Sequence, residues 1–459
     1  MCEFPFQLTV KPASADSLPQ TVMCTGLLRT LSGKRKVFDA VWDQKPVIVK
    51  VFTDPIKAKY HMKREWRGLK LLQERRLNSP APLFFGKAKG YGWVVVTQKI
   101  TDAPNVREIW DNTTDPGQRC ELLCRVSREL AIQHSKGVLQ KDLHLGNFLI
   151  QKETLFTLDP SEMRFLPGKV SKKEAIDQLA LLASNTLYED TDTVASVREE
   201  YSRTRSWKFD GSGTALFFKR LVRHQQDGIR NGLEKCLRTS RKYQRIKGRG
   251  YCGAAARDFF ERTNFRDFVE NIDTLMQNGK VLKNGNTCFV SRINLAGKDV
   301  VVKRYNHKGI IHSVRHTIRR SRARRCWLHA HRLEMLNIAT PKPLAYIESL
   351  RGILVWSSYF ISEYVEGRKL CDFLRGNSAG QDLRSKVSQQ LRELLDNLGK
   401  HHITHGDLKH TNILLTGNGP VLTDLDGMKV HRLGCMCRRR HQKDLERFMN
   451  RGLSRYASV

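Results

Sequence analysis

Apolar positions along the chain follow the same succession of patterns twice. In the first half, Val47–Phe52 predicts a buried strand with one central lysine, Trp93–Gln98 predicts a second strand, and Arg119–Lys136 has apolar residues at helical spacing. The second half repeats this succession at Val300–Tyr305, Tyr359–Glu363 and Leu383–Lys400. Each half is therefore predicted to begin with short strands and to continue with helices.

A basic helix that carries a tryptophan follows the lysine strand in each half. Trp66 lies 14 positions before Pro80, and Trp327 lies 14 positions before Pro341. An offset that recurs over such a distance indicates that one domain has been duplicated within the chain.

An acidic motif also repeats with unchanged spacing. Asp142 is followed by Asn147 five positions later and by Asp159 17 positions later. A single aspartate of this kind is most often a turn or cap residue. Its repetition, each time after a lysine strand, favours a catalytic role instead. The corresponding residues of the second half are Asp407, Asn412 and Asp424.

These patterns predict an α+β protein with two tandem protein-kinase-like domains, 1–240 and 241–459. Each domain is expected to have a small β-rich N-lobe followed by a helical C-lobe. The stretch 237–256 near the boundary is rich in Arg, Lys and Gly, which is typical of a linker or a basic edge.

The first copy has the residue types that phosphoryl transfer requires. Such a reaction needs positioned phosphates, a metal ion and a carboxylate that orients the attacking hydroxyl. Asp142 would accept the hydroxyl proton, while Asn147 and Asp159 offer the hard oxygen ligands that Mg²⁺ prefers. Lys50 would hold the α- and β-phosphates of ATP, and Glu65 would fix that lysine by an ion pair.

The second copy has most of the same set. Asp407 would orient the hydroxyl, Asn412 and Asp424 would bind Mg²⁺, and Lys303 would hold the phosphates of ATP. Cys326 stands where the first copy has its helix glutamate, so this copy is predicted to lack that ion pair. Neither copy has a G-x-G-x-x-G loop.

Several segments resemble one known family. Gly406–Leu415 together with Asp424–Asp426 is similar to the bacterial lipopolysaccharide kinases, the WaaP/InaA-type heptose and Kdo kinases of the protein-kinase-like superfamily. Ser321–Trp327 and Ala339–Pro343 resemble the same family. The resemblance implies an ATP-dependent kinase of inner-core sugars, peripherally bound at the cytoplasmic face of the inner membrane.

The net charge indicates that the partner is anionic. Lys and Arg number 80 and Asp and Glu 46, which gives a formal net charge of +34 and predicts a polyanionic partner. No nucleic-acid-binding module is recognisable, so no specific nucleic acid is expected. The resemblance to the lipopolysaccharide kinases implies that the partners are lipopolysaccharide core or another acidic glycolipid and the anionic inner-membrane surface, and the charge agrees with this.

Cysteine usage and the termini predict the compartment. The 11 cysteines are scattered and form no disulfide framework, which favours a reducing, cytoplasmic setting. Met1–Val10 lacks the pattern of a signal peptide, and no apolar run is long enough to span a membrane.

Other interpretations stay open. The chain could be a kinase of proteins or small metabolites, or a pair of pseudokinases that serves as a basic scaffold on membranes or other polyanions. The arginines of Arg315–Arg325 favour contact with substrate or membrane phosphate over a plain solvated face or a nucleic-acid patch. A set of His and Cys residues could bind Zn²⁺, although its tight Cys-x-Cys spacing disfavours a metal site: His431, Cys435, Cys437 and His441.

Overall fold

The chain forms two compact units, Met1–Gln226 and Asp227–Val459. The computed structural model describes residues 3–13, 18–186, 190–306, 320–376, 380–431 and 434–453. The division falls inside a long helix, upstream of the boundary predicted after residue 240. The stretch 237–256 contains a β-hairpin. Its small residues Gly253–Ala256 are buried in a strand that pairs with a neighbouring strand of the sheet.

Six antiparallel strands open the first unit and close into a barrel. They are β1 (Phe6–Pro12), β2 (Gln20–Leu31), β3 (Arg35–Trp42), β4 (Lys45–Phe52), β5 (Pro82–Ala88) and β6 (Gly92–Gln98), in the order β1-β2-β3-β4-β6-β5. Because side chains alternate along a strand, Val47, Val49 and Val51 of β4 enter the barrel core and Lys50 lies on the other face. The lysine strand is therefore where the sequence predicts it.

Helix α1 (Ala58–Glu74) connects β4 to β5 and packs against that other face. Its buried positions 58, 62, 65, 69 and 72 follow helical spacing and form one core-facing stripe. Glu65 occupies the middle of this stripe and is fully buried. A carboxylate in such a position requires a partner, which Lys50 provides.

The remainder of the first unit is mainly helical. Buried residues of the longer helices form its core, which includes Leu123, Leu130, Leu179 and Phe217. The elements are α2 (Val106–Asn112), α3 (Pro116–Ser135), β7 (Val138–Gln140), β8 (Phe148–Gln151), β9 (Thr154–Thr157), β10 (Met163–Phe165), α4 (Lys172–Ala183), α5 (Thr191–Arg205) and α6 (Gly211–Lys235).

In its described residues, the second unit begins with a seven-stranded sheet, three short helices and one longer helix. In chain order these are β11 (Tyr243–Gly248), β12 (Tyr251–Ala256), α7 (Arg257–Arg262), α8 (Phe265–Glu270), α9 (Ile272–Asn278), β13 (Lys280–Gly285), β14 (Cys288–Leu295), β15 (Lys298–Tyr305), α10 (Arg322–Met335), β16 (Pro343–Arg351) and β17 (Leu354–Glu363). The strand order is β11-β12-β16-β17-β15-β14-β13. Lys303 lies on β15, opposite Phe360 of β17.

Helices and short strands complete the second unit. They are β18 (Arg368–Lys369), α11 (Leu370–Arg375), α12 (Gln381–Lys400), β19 (Ile403–Thr404), β20 (Ile413–Thr416), β21 (Gly419–Leu422), β22 (Lys429–Val430) and α13 (Gly434–Leu453). The predicted mixture of strands and helices is thus confirmed. In both units, a helix follows the lysine strand and a hairpin of short strands lies between the predicted catalytic Asp and the predicted metal-binding Asp.

Candidate active sites

The first unit brings three predicted residues into direct contact. Lys50 Nζ donates to Glu65 Oε1 at 2.5 Å and to Asp159 Oδ1 at 2.6 Å. Arg35, at the start of β3, approaches Asp159 Oδ2 at 3.5 Å. Two cations therefore face two carboxylates, so the buried charges balance. The sequence analysis did not identify Arg35.

Electrostatics keep this cluster ionised. Burial alone would lower the pKa of the Lys50 ammonium, but the carboxylates of Asp159 and Glu65 outweigh it and raise the pKa. The same ammonium is the main reason that the pKa of the Asp159 carboxyl lies far below its ordinary value, against the opposing effect of burial. Both groups are charged at neutral pH.

Helix α1 lies very close to the loop that carries Asp159. A Cβ placed on Gly68 would lie 2.7 Å from Pro160 Cβ and 2.8 Å from the Pro160 carbonyl oxygen. Arg64 also donates to the carbonyl of Ser161. The close approach holds Glu65 at the position from which it reaches Lys50.

Hydrogen bonds connect the other two predicted residues to this cluster. Asn147 Nδ2 donates to the backbone carbonyl of Asp142 at 2.7 Å, and the N–H of Leu158 donates to the carbonyl of Asn147 at 2.8 Å. Asp159 follows Leu158 directly. The structure thus brings together all five residues predicted for the first site, with the Asp142 side chain 72% exposed.

The second unit repeats this arrangement. Asn412 Nδ2 donates to the carbonyl of Asp407 at 2.9 Å, and the N–H of Thr423 donates to the carbonyl of Asn412 at 2.9 Å. Asp424 follows directly and pairs with Lys303. Four predicted residues therefore lie together here also.

Backbone strain recurs at the same position of each site. Asp159 has φ 51° and ψ 55°, and Asp424 has φ 60° and ψ 57°. Left-handed conformations are uncommon for residues other than glycine and are concentrated at functional sites. In both units this conformation turns the carboxylate toward the strand lysine.

The lysine of the second site has a different set of partners. Lys303 contacts Asp424 and lies 4.0 Å from Asp426 Oδ1. Burial alone would lower the pKa of Lys303, but the two carboxylates outweigh it and raise the pKa. The prediction that no helix glutamate pairs with Lys303 agrees with this geometry, because both contacting carboxylates belong to the loop.

Helix α10 nevertheless reaches that loop. Arg322, in its first turn, donates to Asp426 Oδ2 through Nε at 2.8 Å and also through Nη2. Cys326, at the position of the missing glutamate, is buried, and its Sγ lies 3.0 Å from the Tyr305 hydroxyl. The sequence analysis missed the pairing of Arg322 with Asp426, although it noted both an arginine run and an Asp-Leu-Asp segment.

The loop that carries Asp407 is also held by helix α13. The Gly406 N–H donates to Asp444 Oδ2 at 2.9 Å, and Arg447 Nη1 donates to the Gly406 carbonyl at 2.7 Å. Gly406 has φ +80°, and a Cβ there would lie 2.4 Å from the Gly427 carbonyl oxygen. Only glycine fits immediately before Asp407.

Two further predictions concern residues near these sites. Part of the arginine run, 315–319, lies outside the described residues, as does the Cys435 side chain of the Cys/His set. Among the described residues, no group of three or more His, Cys, Asp or Glu side chains is arranged to hold a metal ion.

None of the helices in the described part of the chain has both the length and the apolar composition that a membrane span requires.

The sequence of the second unit matches a known family. Residues 274–456 fit the model of the Lipopolysaccharide kinase (Kdo/WaaP) family. This part of the chain is similar to that kinase family. The predicted resemblance is confirmed, and the protein is a kinase. All four residues of the second site lie within the range that the lipopolysaccharide kinase model covers.

The chain was also compared with curated proteins and with solved structures. No curated protein matches the chain in sequence. Among solved structures, the chain is similar to the kinase domain of PknI from Mycobacterium tuberculosis, with 15% sequence identity and a TM-score of 0.27. That similarity covers 36% of this chain and 72% of the PknI domain.

Proposed function

We propose that this kinase transfers the γ-phosphate of ATP to a heptose or Kdo hydroxyl of the lipopolysaccharide inner core. The observation that carries the proposal is the pairing of Lys303 with Asp424 inside the region that matches the lipopolysaccharide kinase family. Backbone hydrogen bonds connect this pair to Asn412 and Asp407, so a phosphate-binding cation, metal ligands and a base lie together.

The residues fit Mg²⁺ and ATP. Because the amide nitrogens of Asn147 and Asn412 donate to a backbone carbonyl, their side-chain oxygens point elsewhere and can serve as ligands. Together with Asp159 and Asp424 they form hard oxygen donor sets, which suit Mg²⁺. When bound, the ion would neutralise charge on the β- and γ-phosphates.

The remaining residues bind and orient the substrates. Lys50 and Lys303, held by carboxylates, would hold the phosphates of ATP. Asp142 and Asp407 would each accept a hydrogen bond from the acceptor hydroxyl and take its proton. The exposed position of the Asp142 side chain supports this role, since an acceptor can reach it.

The two units are proposed to be tandem kinase-like domains. The same order of elements, the same left-handed aspartate and the same Asn-centred hydrogen bonds support this proposal. The first unit has the fuller set of ion pairs, and the second matches the family. We therefore propose that both bind ATP.

The proposed acceptor is acidic and lies at a membrane. The net charge of +34 supports binding to phosphates and carboxylates of the lipopolysaccharide core and to the anionic surface of the inner membrane. The proposed location is therefore peripheral, at the cytoplasmic face. No specific nucleic acid is proposed as a partner.

Phosphate transfer to purified lipopolysaccharide core tests the proposal. We expect Asp142→Ala and Asp407→Ala each to remove part of the Mg·ATP-dependent transfer and the double variant to remove all of it. Asp396→Ala, a change of an exposed aspartate on α12, is the matched control and should leave transfer unchanged. Absence of ATP binding in every form would contradict the proposal and favour a non-catalytic scaffold.

A further inference from the structure

We propose that one face of helix α13 docks on an anionic phospholipid bilayer and thereby brings the catalytic loop of the second unit to its acceptor. This inference rests on the proposed function, because docking serves catalysis only if the acceptor is anchored in a membrane. It goes further by assigning the contact to particular residues.

The docking surface is a continuous stripe of exposed side chains. Its members share one side of α13 because they are spaced by i, i+3, i+4, i+7 and i+11. We call this stripe the α13 basic face. It consists of Met436, Arg439, Arg440, Lys443 and Arg447, all of them exposed.

A neighbouring side of the helix packs within the unit. Cys437 and Asp444 are buried, and the Phe448 ring lies 4.4 Å from the ring of His410. The α13 basic face therefore does not contribute to the core. Met436, which is 51% exposed, offers a flexible apolar side chain that can enter the headgroup region beside the cations.

The exposed charge of α13 is predominantly positive. Its exposed described residues include five cations, of which Arg438 lies outside the basic face, and one acid, Glu446. Helix α12 has the same length and balances its exposed charges, with four cations and three acids. A solvated helix face is normally mixed in this way. The excess on α13 complements an anionic surface.

Helix α13 is joined directly to the catalytic loop. Arg447 belongs to the basic face and also donates to the carbonyl of Gly406, whose N–H is bonded to Asp444. Gly406 precedes Asp407. A bilayer that contacts the basic face would therefore lie beside the loop that receives the acceptor hydroxyl.

Vesicle binding tests the inference directly. The intact chain is sedimented with vesicles of phosphatidylcholine, with and without phosphatidylglycerol. Each basic residue near such a surface contributes about a fivefold gain in binding. We therefore expect the triple variant Arg439→Gln, Arg440→Gln, Lys443→Gln to bind phosphatidylglycerol vesicles about 100-fold more weakly.

A matched variant removes the same charge elsewhere. Arg245→Gln, Lys247→Gln, Arg249→Gln changes three exposed cations of the β11–β12 hairpin and should bind vesicles as the wild type does. Equal losses in the two triple variants would overturn the inference, because bulk charge would then explain the binding. Unchanged binding by the α13 variant would also overturn it.

Activity on two acceptors separates this inference from the proposed function. The α13 variant should lose transfer to lipopolysaccharide in phosphatidylglycerol vesicles but retain transfer to soluble, deacylated core. Loss on both acceptors in a folded α13 variant would overturn the docking role. If the wild type phosphorylates neither acceptor, the proposed function fails, while the vesicle-binding result still decides the docking surface.

Discussion

Arg322 and Asp426 connect helix α10 to the aspartate loop of the second unit. Two guanidinium nitrogens converge on one carboxylate oxygen, and the guanidinium lies 4.6 Å from the centre of the Tyr305 ring. The first unit makes its connection differently, through Glu65 and Lys50. Both units therefore attach the helix to the site by an ion pair. Its carboxylate lies on the helix in the first unit and on the loop in the second.

Loss of the Arg322–Asp426 contact should impair the second unit. We expect Arg322→Ala to lower kcat about 10- to 100-fold, because a small displacement of Lys303 and Asp424 misplaces the phosphates. Arg322→Lys should have an intermediate effect, since it retains the charge without the two-donor geometry. Steady-state kinetics with ATP in an Asp142→Ala background would measure the second unit alone.

Two controls accompany this prediction. Arg392→Ala changes an exposed arginine of α12 and should leave kcat and KM unaltered. In a double-mutant cycle with Asp426→Asn, the second substitution should add little to the first, because both remove one contact. Fully additive effects would show that the two residues act independently.

Gly68→Ala should disrupt the first unit. The added methyl group would collide with Pro160, so α1 must move away from the Asp159 loop and weaken the contact of Glu65 with Lys50. Overpacking of this kind typically costs about 1–3 kcal/mol of stability. Thermal unfolding together with ATP affinity in an Asp407→Ala background would detect both effects.

The control for Gly68→Ala is a helical glycine in open space. Gly228 of α6 has nothing within 4 Å of the site of an added Cβ. Gly228→Ala should therefore stabilise the protein by about 1 kcal/mol, because alanine favours the helix. A loss of stability in Gly228→Ala similar to that in Gly68→Ala would indicate that steric contact with Pro160 is not the cause.

Acid should remove the contribution of Asp424 to stability. Burial alone would raise the pKa of this carboxyl, but Lys303 and hydrogen bonds to the carboxylate outweigh burial and lower the pKa to about 2. A depressed pKa in the folded state stabilises the protein above the unfolded value near 4, and this stabilisation is lost as the pH falls towards 2.

A substitution at Asp424 should therefore show a pH-dependent effect. We expect Asp424→Asn to destabilise the protein by on the order of 2 kcal/mol at pH 7 and by progressively less below pH 4. Calorimetric unfolding of the full chain across this range would measure the difference. Asp396→Asn on the exposed face of α12 should show no such trend, and a pH-independent loss in Asp424→Asn would contradict the electrostatic origin.

Much of the site could be predicted from spacing alone. Lys50 and Lys303 stand out because a lysine interrupts a β-branched strand, and the Asp142, Asn147 and Asp159 pattern recurs in the second half. Glu65 has a local signal as well, since it replaces an apolar residue in the core-facing stripe of α1. These signals are short-range in sequence.

The sequence by itself determined the repeated order of elements, the strand lysines and the acidic motifs, because hydrophobic periodicity and fixed spacings are local properties of the chain. Only the tertiary structure decided the partners of Lys303, the pairing of Arg322 with Asp426 and the contact of α13 with Gly406. Such contacts join residues that are distant in sequence and depend on how strands and helices pack. Local composition also could not locate the division between the units, which falls within α6. The stretch 237–256 has the basic composition of a linker, but its small residues are buried against β16.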